Sequence, residues 1–262
     1  LSAAWIAARI RRVANSRDNL FHESLGYLEG GTQVLLDRLE NAVLERNGEI
    51  QLNSKVMKIE TEKEKNGGVV TTNNSSDYYD IIISTIPLPY LSNIFSYLPD
   101  DYLLKLSNIV NIGCVCVIFM LNEKVTENFW LNIDVDSWDI PGIIEYSNLR
   151  ELSKSCVYIP FYCTHNHPNW SLDNNEFIKK GREYLGEINE LAQTSIMNEF
   201  AFRYEYAQPV CPPGFRNMLP SIKTGIKGVF AADTTHSYYE DRSINESVKI
   251  ANTLSRLALD IW

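Results

Sequence analysis

Apolar residues recur at two different periods along this chain. Leu1 to Arg12 places its apolar residues ahead of Arg9, Arg11 and Arg12 and predicts an amphipathic helix. The turn Gly26-Tyr27-Leu28-Glu29-Gly30-Gly31-Thr32 feeds a second helix, Gln33 to Arg46, with Leu36, Leu39 and Val43 on one face and Gly48 as its stop. The pattern then shifts to alternation and short apolar runs. Glu49 to Leu52, Val56 to Glu60 and Gly68 to Thr72 read as strands, separated by turns at Asn66-Gly67-Gly68 and Asn73-Asn74-Ser75-Ser76. Tyr79 to Pro87 is the strongest strand signal of this half. Its run Ile81-Ile82-Ile83 ends at Ser84 and Thr85, the pattern of a strand buried on both faces of a parallel sheet.

The texture changes from about Leu91 to Pro220. Strands are predicted at Val115 to Leu121, Gly142 to Tyr146, Cys156 to Tyr162 and Phe202 to Tyr206, with Trp/Tyr/Asn-rich loops and one helix, Asn175 to Leu191. This is a mixed or antiparallel sheet inserted into the first domain. The chain then returns with the strand Val229 to Ala232, Asp233 at its end, and a last helix behind the N-cap Ser243, with Ile244, Val248, Ala251 and Ala258 at helical spacing. The fold class expected is α/β, with an α+β insertion.

Composition narrows the partners. The net charge is −9 with no Lys/Arg-rich block, so neither nucleic acid nor an anionic membrane is an expected partner, and a small-molecule substrate is. The longest apolar run, Ile109 to Leu121, is interrupted by Asn111 and Gly113 and falls short of the roughly 20 residues a membrane span needs. It reads as a central buried strand. Five cysteines without a framework spacing suggest a reducing compartment, and the expected location is cytoplasmic. Apolar residues before basic ones at the N-terminus reverse the order of a signal peptide.

Several residues could carry chemistry. Asp233, at a strand end before a new helix, is placed to accept from a ligand hydroxyl, or to cap its own loop. Ser84 and Thr85 before Pro87 could touch a ligand or satisfy a turn. Cys163, His165 and His167 lie together, but a structural metal site normally takes four ligands at recognised spacing, so a polar loop is the reading there. Cys114 and Cys116 share one strand face in an apolar run and read as packing.

Taken together, Leu25-Gly26-Tyr27, Gly30-Gly31, the following helix, Val56-x-x-Ile59 and Asp80-Ile81-Ile82-Ile83-Ser84-Thr85-Ile86-Pro87 resemble the middle of flavin-dependent oxidoreductases. The family is the amine oxidase, protoporphyrinogen oxidase and phytoene desaturase superfamily, to which UDP-galactopyranose mutases are related. Arg203-Tyr204, Ala207-Gln208-Pro209 and Gly214 resemble its substrate-domain exit strand, and Gly228 to Asn252 its C-terminal flavin motif.

The resemblance implies FAD as cofactor and hydride transfer from a small molecule. Asp233 would bond the flavin ribitol or lie near the pyrophosphate. Ser243, Ile244 and Asn245 would set backbone N–H groups under the flavin ring edge that gains negative charge on reduction. Val56 would meet the adenine, Thr85 and Pro87 would border the dinucleotide, and Arg203, Tyr204 and Tyr206 would line the substrate pocket. It also implies domains: residues 23–90 and 222–262 as a partial Rossmann-like FAD-binding domain, 91–221 as the substrate domain, and 1–22 as a helical segment on the substrate side.

One departure matters most. Such enzymes open with a glycine-rich βαβ unit, G-x-G-x-x-G, yet none of the thirteen glycines here forms a G-x-G. Two smaller departures are Ala232, where a glycine is common, and Glu246, where a small residue is usual. The chain is therefore expected to be the C-terminal portion of a longer flavoprotein, to hold FAD weakly by itself, and to self-associate through an unpaired sheet edge. The alternative is a non-catalytic binding module that uses Trp130, Trp138, Trp170, Tyr146 and Tyr162 of the inserted sheet.

Overall fold

The computed structural model describes residues 2–15, 17–19, 22–23, 26–62, 65–150 and 152–261. The chain forms two compact units, residues 1–109 with 211–262, and residues 110–210. The boundary expected near Leu91 thus falls at Val110, because Leu91, Phe95, Leu98, Tyr102, Leu106 and Ile109 are buried in one cluster with Ile59, Ile82 and Val229.

The first unit opens with α1 (Ala3–Asn15) and a short hairpin, β1 (Arg17–Asn19) and β2 (His22–Glu23). Gly30 and Gly31, both at positive φ, then turn the chain into α2 (Thr32–Leu44). Leu25 of the motif preceding this turn lies outside the described residues. The expected strand at Glu49 to Leu52 is irregular instead, since Asn53 turns left-handed and the Asn73 side chain ties Asn53 and Lys55 into a loop. Next come an antiparallel meander, β3 (Val56–Glu60), β4 (Gly68–Thr72) and β5 (Ser76–Tyr79), and the parallel strand β6 (Ile82–Ser84). Two helices, α3 (Leu91–Ile94) and α4 (Asp100–Ser107), follow. Tyr79 therefore belongs to the meander, and the strand expected over Tyr79 to Pro87 shrinks to three residues.

The second unit is an antiparallel sheet in the order β11-β7-β10-β9-β8. Its strands are β7 (Asn111–Leu121), β8 (Trp130–Asn132), β9 (Gly142–Glu145), β10 (Ser155–Cys163) and β11 (Ile196–Pro209). Between β10 and β11 run α5 (Asn174–Ile188), opened by a capping box between Asp173 and Glu176, and α6 (Glu190–Thr194). The core lies on one face of the sheet, where Val115, Val117, Phe119, Ile159 and Phe161 bury against Phe177 and Leu185 of α5. The Ile109–Leu121 run is the inner strand the pattern predicted.

The chain then returns to the first unit with α7 (Phe215–Met218), β12 (Val229–Ala231) and α8 (Ile244–Leu259). β12 pairs in parallel with β6, and its other edge is covered by residues 222–224. Gly228 enters β12 at φ 77° so close to the β4–β5 hairpin that a Cβ there would meet Asp80 O at 2.5 Å. Two faces depart from expectation. α2 has no buried residue, so Leu36, Leu39 and Val43 are exposed. On α8 the packed face is Ile250, Leu254, Leu257 and Ala258, while Ile244, Val248 and Ala251 point outward. Nor is β6 buried on both faces, since Ile83 and Ile86 are exposed.

Candidate functional site

In the first unit the carboxyl ends of the parallel pair β6 and β12 are where a ligand of an open α/β sheet binds. The register Ile82↔Val229 to Ser84↔Ala231 brings Thr85 and Asp233 to the same end. Asp233 begins a short 3-10 turn, Thr234–Ser237, and its Oδ1 accepts the Thr235 N–H at 2.8 Å. Its Oδ2 accepts the Leu88 N–H at 2.9 Å, which fixes the loop through Thr85 and Pro87 to the end of β12. The carboxylate is largely buried and already serves two backbone donors.

His236 completes the turn. Its Nδ1 accepts the Asp233 N–H at 3.4 Å and its Nε2 reaches Pro220 O at 3.2 Å, a pairing that requires the neutral tautomer protonated at Nε2. Burial holds the imidazole below its ordinary pKa, against the opposing pull of Asp233. Tyr102 is buried with no hydrogen-bond partner for its hydroxyl among the described residues, and burial together with the Asp233 charge raises its pKa.

Beside β6 runs an apolar trough of about 360 Å³ that includes Val56, Val70, Tyr79, Ile83 and Thr85. Val56 and Thr85, expected on sequence grounds to meet a dinucleotide, are therefore brought together, whereas Pro87, two positions after Thr85, is not among the trough's lining residues. Its size is at the small end of ligand sites, about 300–1,000 Å³. The sequence residues Ser243 and Asn245 line a different, polar hollow with Arg11, Arg12 and Glu246. There Ser243 Oγ caps the Glu246 N–H at 3.2 Å, and the N–H groups of Ile244 and Asn245 have no partner among the described residues. Glu246 lies in the same first turn and is paired with Lys249. Asp241 is held by Arg9 at 2.9 Å and Arg12 at 3.0 Å.

In the second unit the three expected pocket residues separate. Arg203 donates to Trp170 O and Leu172 O, each at 2.6 Å, and lies over the Trp170 ring, on the side covered by α5. Tyr206 packs edge-on to His165. Tyr204 alone is plainly on the open face of the sheet. Of the aromatic residues named from sequence, Trp138 stacks on Tyr184 and Trp170 packs against the core, whereas Trp130 is exposed. Among the described residues no cluster of metal-ligating groups forms, and no helix is long and apolar enough to cross a membrane.

Sequence reasoning missed Glu145 and Asp139. Glu145 is buried, and its carboxylate accepts from Val125 N, Thr126 N and Ser155 Oγ at 3.1, 2.7 and 2.6 Å. Asp139 joins Lys180, Tyr184 and Asn169 at 2.6–2.7 Å, and Lys180 and Tyr184 lower its pKa against the effect of burial. Both order loops around the sheet, and neither Asp139, a single acid in a loop, nor Glu145, a single acid at the end of β9, carries a local sequence signal of such a role.

The fold has known relatives. The chain matches a protein from Exiguobacterium sp. 255-15 described as a protoporphyrinogen oxidase, at a TM-score of 0.69 and 17% identity over 89% of this chain and 52% of the other. Reduced UDP-galactopyranose mutase matches at 0.68 and 13% over 98% and 60%. Putrescine oxidase bound to putrescine matches at 0.62 and 14% over 88% and 53%. The chain thus spans about half the length of these solved structures. No curated protein sequence matches it. The sequence profile for flavin containing amine oxidoreductase matches residues 6–253, nearly the whole chain, and the chain belongs to that family.

Proposed function

We propose that this chain is the C-terminal part of an FAD-dependent oxidoreductase that takes a hydride from a small-molecule substrate. The observation that carries the reading is the family match over residues 6–253, joined to a parallel pair β6–β12 whose carboxyl ends are locked together by Asp233. The residues present suit the ring end of the cofactor better than its pyrophosphate. Ile244 and Asn245 offer helix N-terminal N–H groups, and Val56 and Thr85 share an apolar trough, but no G-x-G stands ready for the phosphates.

Bound FAD would supply the hydride acceptor. The start of α8 would favour negative charge beside it, by roughly 0.3–2 kcal/mol for a helix N-terminus. Glu246 in the same turn opposes this, and its pairing with Lys249 moderates the opposition. Asp233 acts as a positioning residue that sets the Thr85–Leu88 loop at the trough. If two or three charge-assisted bonds to phosphate are missing, at about 1.5–3 kcal/mol each, affinity falls about a hundredfold to a millionfold, so the chain alone should retain little FAD.

The test is the protein as its native source makes it. Its N-terminal sequence should lie upstream of Leu1, a glycine-rich βαβ unit should precede that residue, and a flavin absorption band should bleach with dithionite. A native chain that begins near Leu1 and carries no flavin would overturn the proposal.

A further inference from the structure

Charge, more than apolar packing, holds α1 to the segment that precedes α8. Ala8 of α1 is buried, whereas Ile6 and Ile10 are 42% and 66% exposed. The polar contacts of this end of the chain converge on residues 238–241. Ser2 Oγ, just ahead of α1, lies 2.7 Å from Tyr238 Oη. Arg9 and Arg12, three positions apart and so on one side of the helix, share the carboxylate of Asp241. Arg9 Nη2 reaches Oδ1 at 2.9 Å, and Arg12 Nη1 reaches Oδ2 at 3.0 Å. The Arg9 guanidinium also lies over the Trp5 ring, 4.0 Å from its centroid, which fixes its aim.

The backbone around Asp241 is otherwise lightly tied. The Glu240 N–H donates to Ser237 O at 2.8 Å, but Asp241 makes no backbone-to-backbone hydrogen bond among the described residues. Two positions on, Ser243 caps α8: its Oγ accepts the Glu246 N–H at 3.2 Å and its carbonyl the Ser247 N–H at 3.0 Å. Ala8, Arg11 and Arg12 line the same hollow as Ser243, Asn245 and Glu246, so α1 forms one wall of it. Among the described residues, the ion pairs that cross from this wall to the α8 side are the two made by Asp241.

We infer that Asp241, clamped by Arg9 and Arg12, is a positioning residue that holds the capped start of α8 in place. Without its charge two guanidinium groups would stand side by side with no counter-ion, α1 would come away, and Ser243 would lose the anchor two residues ahead of it. The consequence for a flavin rests on the flavin reading: the N–H groups of Ile244 and Asn245 would lose their fixed aim, and a preorganised dipole stabilises charge better than one that must reorient. The clamp itself rests on the contacts alone. Asp241→Asn has two effects of opposite sign on a flavin beside α8. Loss of a negative charge favours the reduced ring and raises its midpoint potential, whereas loss of positioning lowers it.

Hydrogen exchange and tryptic cleavage of the full chain test the clamp without any cofactor. Asp241→Asn should speed exchange of the Glu246 and Ser247 amides, and cleavage after Arg9, Arg11 and Arg12, by about threefold or more. Raising KCl from about 0.1 M to about 1 M, which shortens the Debye length from about 10 to about 3 Å, should speed both in the wild type and change the variant little. Asp241→Glu keeps the charge and should restore most of the protection. Glu62→Gln, which removes an exposed pair with Lys65 between β3 and β4, should alter neither readout. If Asp241→Asn loses its native circular dichroism, the double variant Arg9→Gln/Arg12→Gln breaks the clamp from the other side, and exchange at Glu246 and Ser247 is read there. Faster cleavage of α1 with unchanged exchange at these two amides, or no change in either, overturns the inference. In the native flavoprotein Asp241→Asn should lower the midpoint potential by about 15 mV or more, equivalent to about a threefold fall in the preference for reduced over oxidised flavin. An unchanged or raised potential there overturns the inference as well. A native protein that shows the exchange effects but holds no flavin would sink the flavin reading alone.

Discussion

The carboxylate of Asp233 accepts the Leu88 backbone N–H at 2.9 Å although 145 positions of sequence separate them. This bond joins the loop after β6 to the turn after β12, so the two parallel strands end in a single rigid ledge. A residue expected to meet a cofactor hydroxyl thus has a structural duty, and the two roles are separable by experiment.

Asp233→Ala removes a turn cap and leaves the Leu88 donor unpaired in a buried setting. Loss of a cap costs about 0.5–2 kcal/mol and an unsatisfied buried donor about 1–3 kcal/mol. A destabilisation of about 2–4 kcal/mol is expected from urea unfolding, with the midpoint lowered and the slope unchanged. An unchanged midpoint would show that the ledge does not depend on this carboxylate.

The buried imidazole of His236 makes stability depend on pH. Its folded pKa lies below the ordinary value of 6.5, so the unfolded chain takes up the proton first. Its contribution is whole above about 6.5 and declines as pH falls through that value toward the folded pKa, by at most about 1.4 kcal/mol per pH unit. His236→Gln should flatten this part of the stability profile. A wild-type curve level between pH 7 and 5 would contradict the assignment.

Glu145 gathers Val125 N, Thr126 N and Ser155 Oγ in the interior. Glu145→Ala strands three donors and is expected to cost more than about 3 kcal/mol, with Glu145→Gln intermediate. Thermal unfolding of both variants decides this, and a Glu145→Gln variant as stable as the wild type would mean that the charge itself contributes nothing.

Ile82 N donates to Gly228 O at 2.8 Å and Ser84 O accepts from Ala232 N at 3.0 Å, so the backbone N–H and C=O of Ile83 between them point away from β12. That outer edge of β6 pairs with no strand among the described residues, and the exposed Leu36, Leu39 and Val43 of α2 add apolar surface. Self-association is expected, and Ile83→Lys should reduce it. A wild-type chain that stays monomeric in sedimentation at high concentration would count against this.

Local patterns in the sequence determined the elements whose cause is local. The alternation through Val56–Glu60 and Gly68–Thr72, the Ile109–Leu121 run and the Ser243 cap each form as their patterns require. The order of short motifs from Gly26 to Asn252 was enough to place the family. Tertiary structure decided what depends on distant neighbours. Whether Leu36, Ile244 and Val248 are buried turns on what packs against α2 and α8, and periodicity reports a face without naming its cover. Arg203 and Tyr204 are adjacent in sequence, yet the pleat sends one to the carbonyls of Trp170 and Leu172 and the other to the open aromatic face. The second duty of Asp233 came from the same source, since only folding brings Leu88 within hydrogen-bonding distance of a carboxylate so far along the chain.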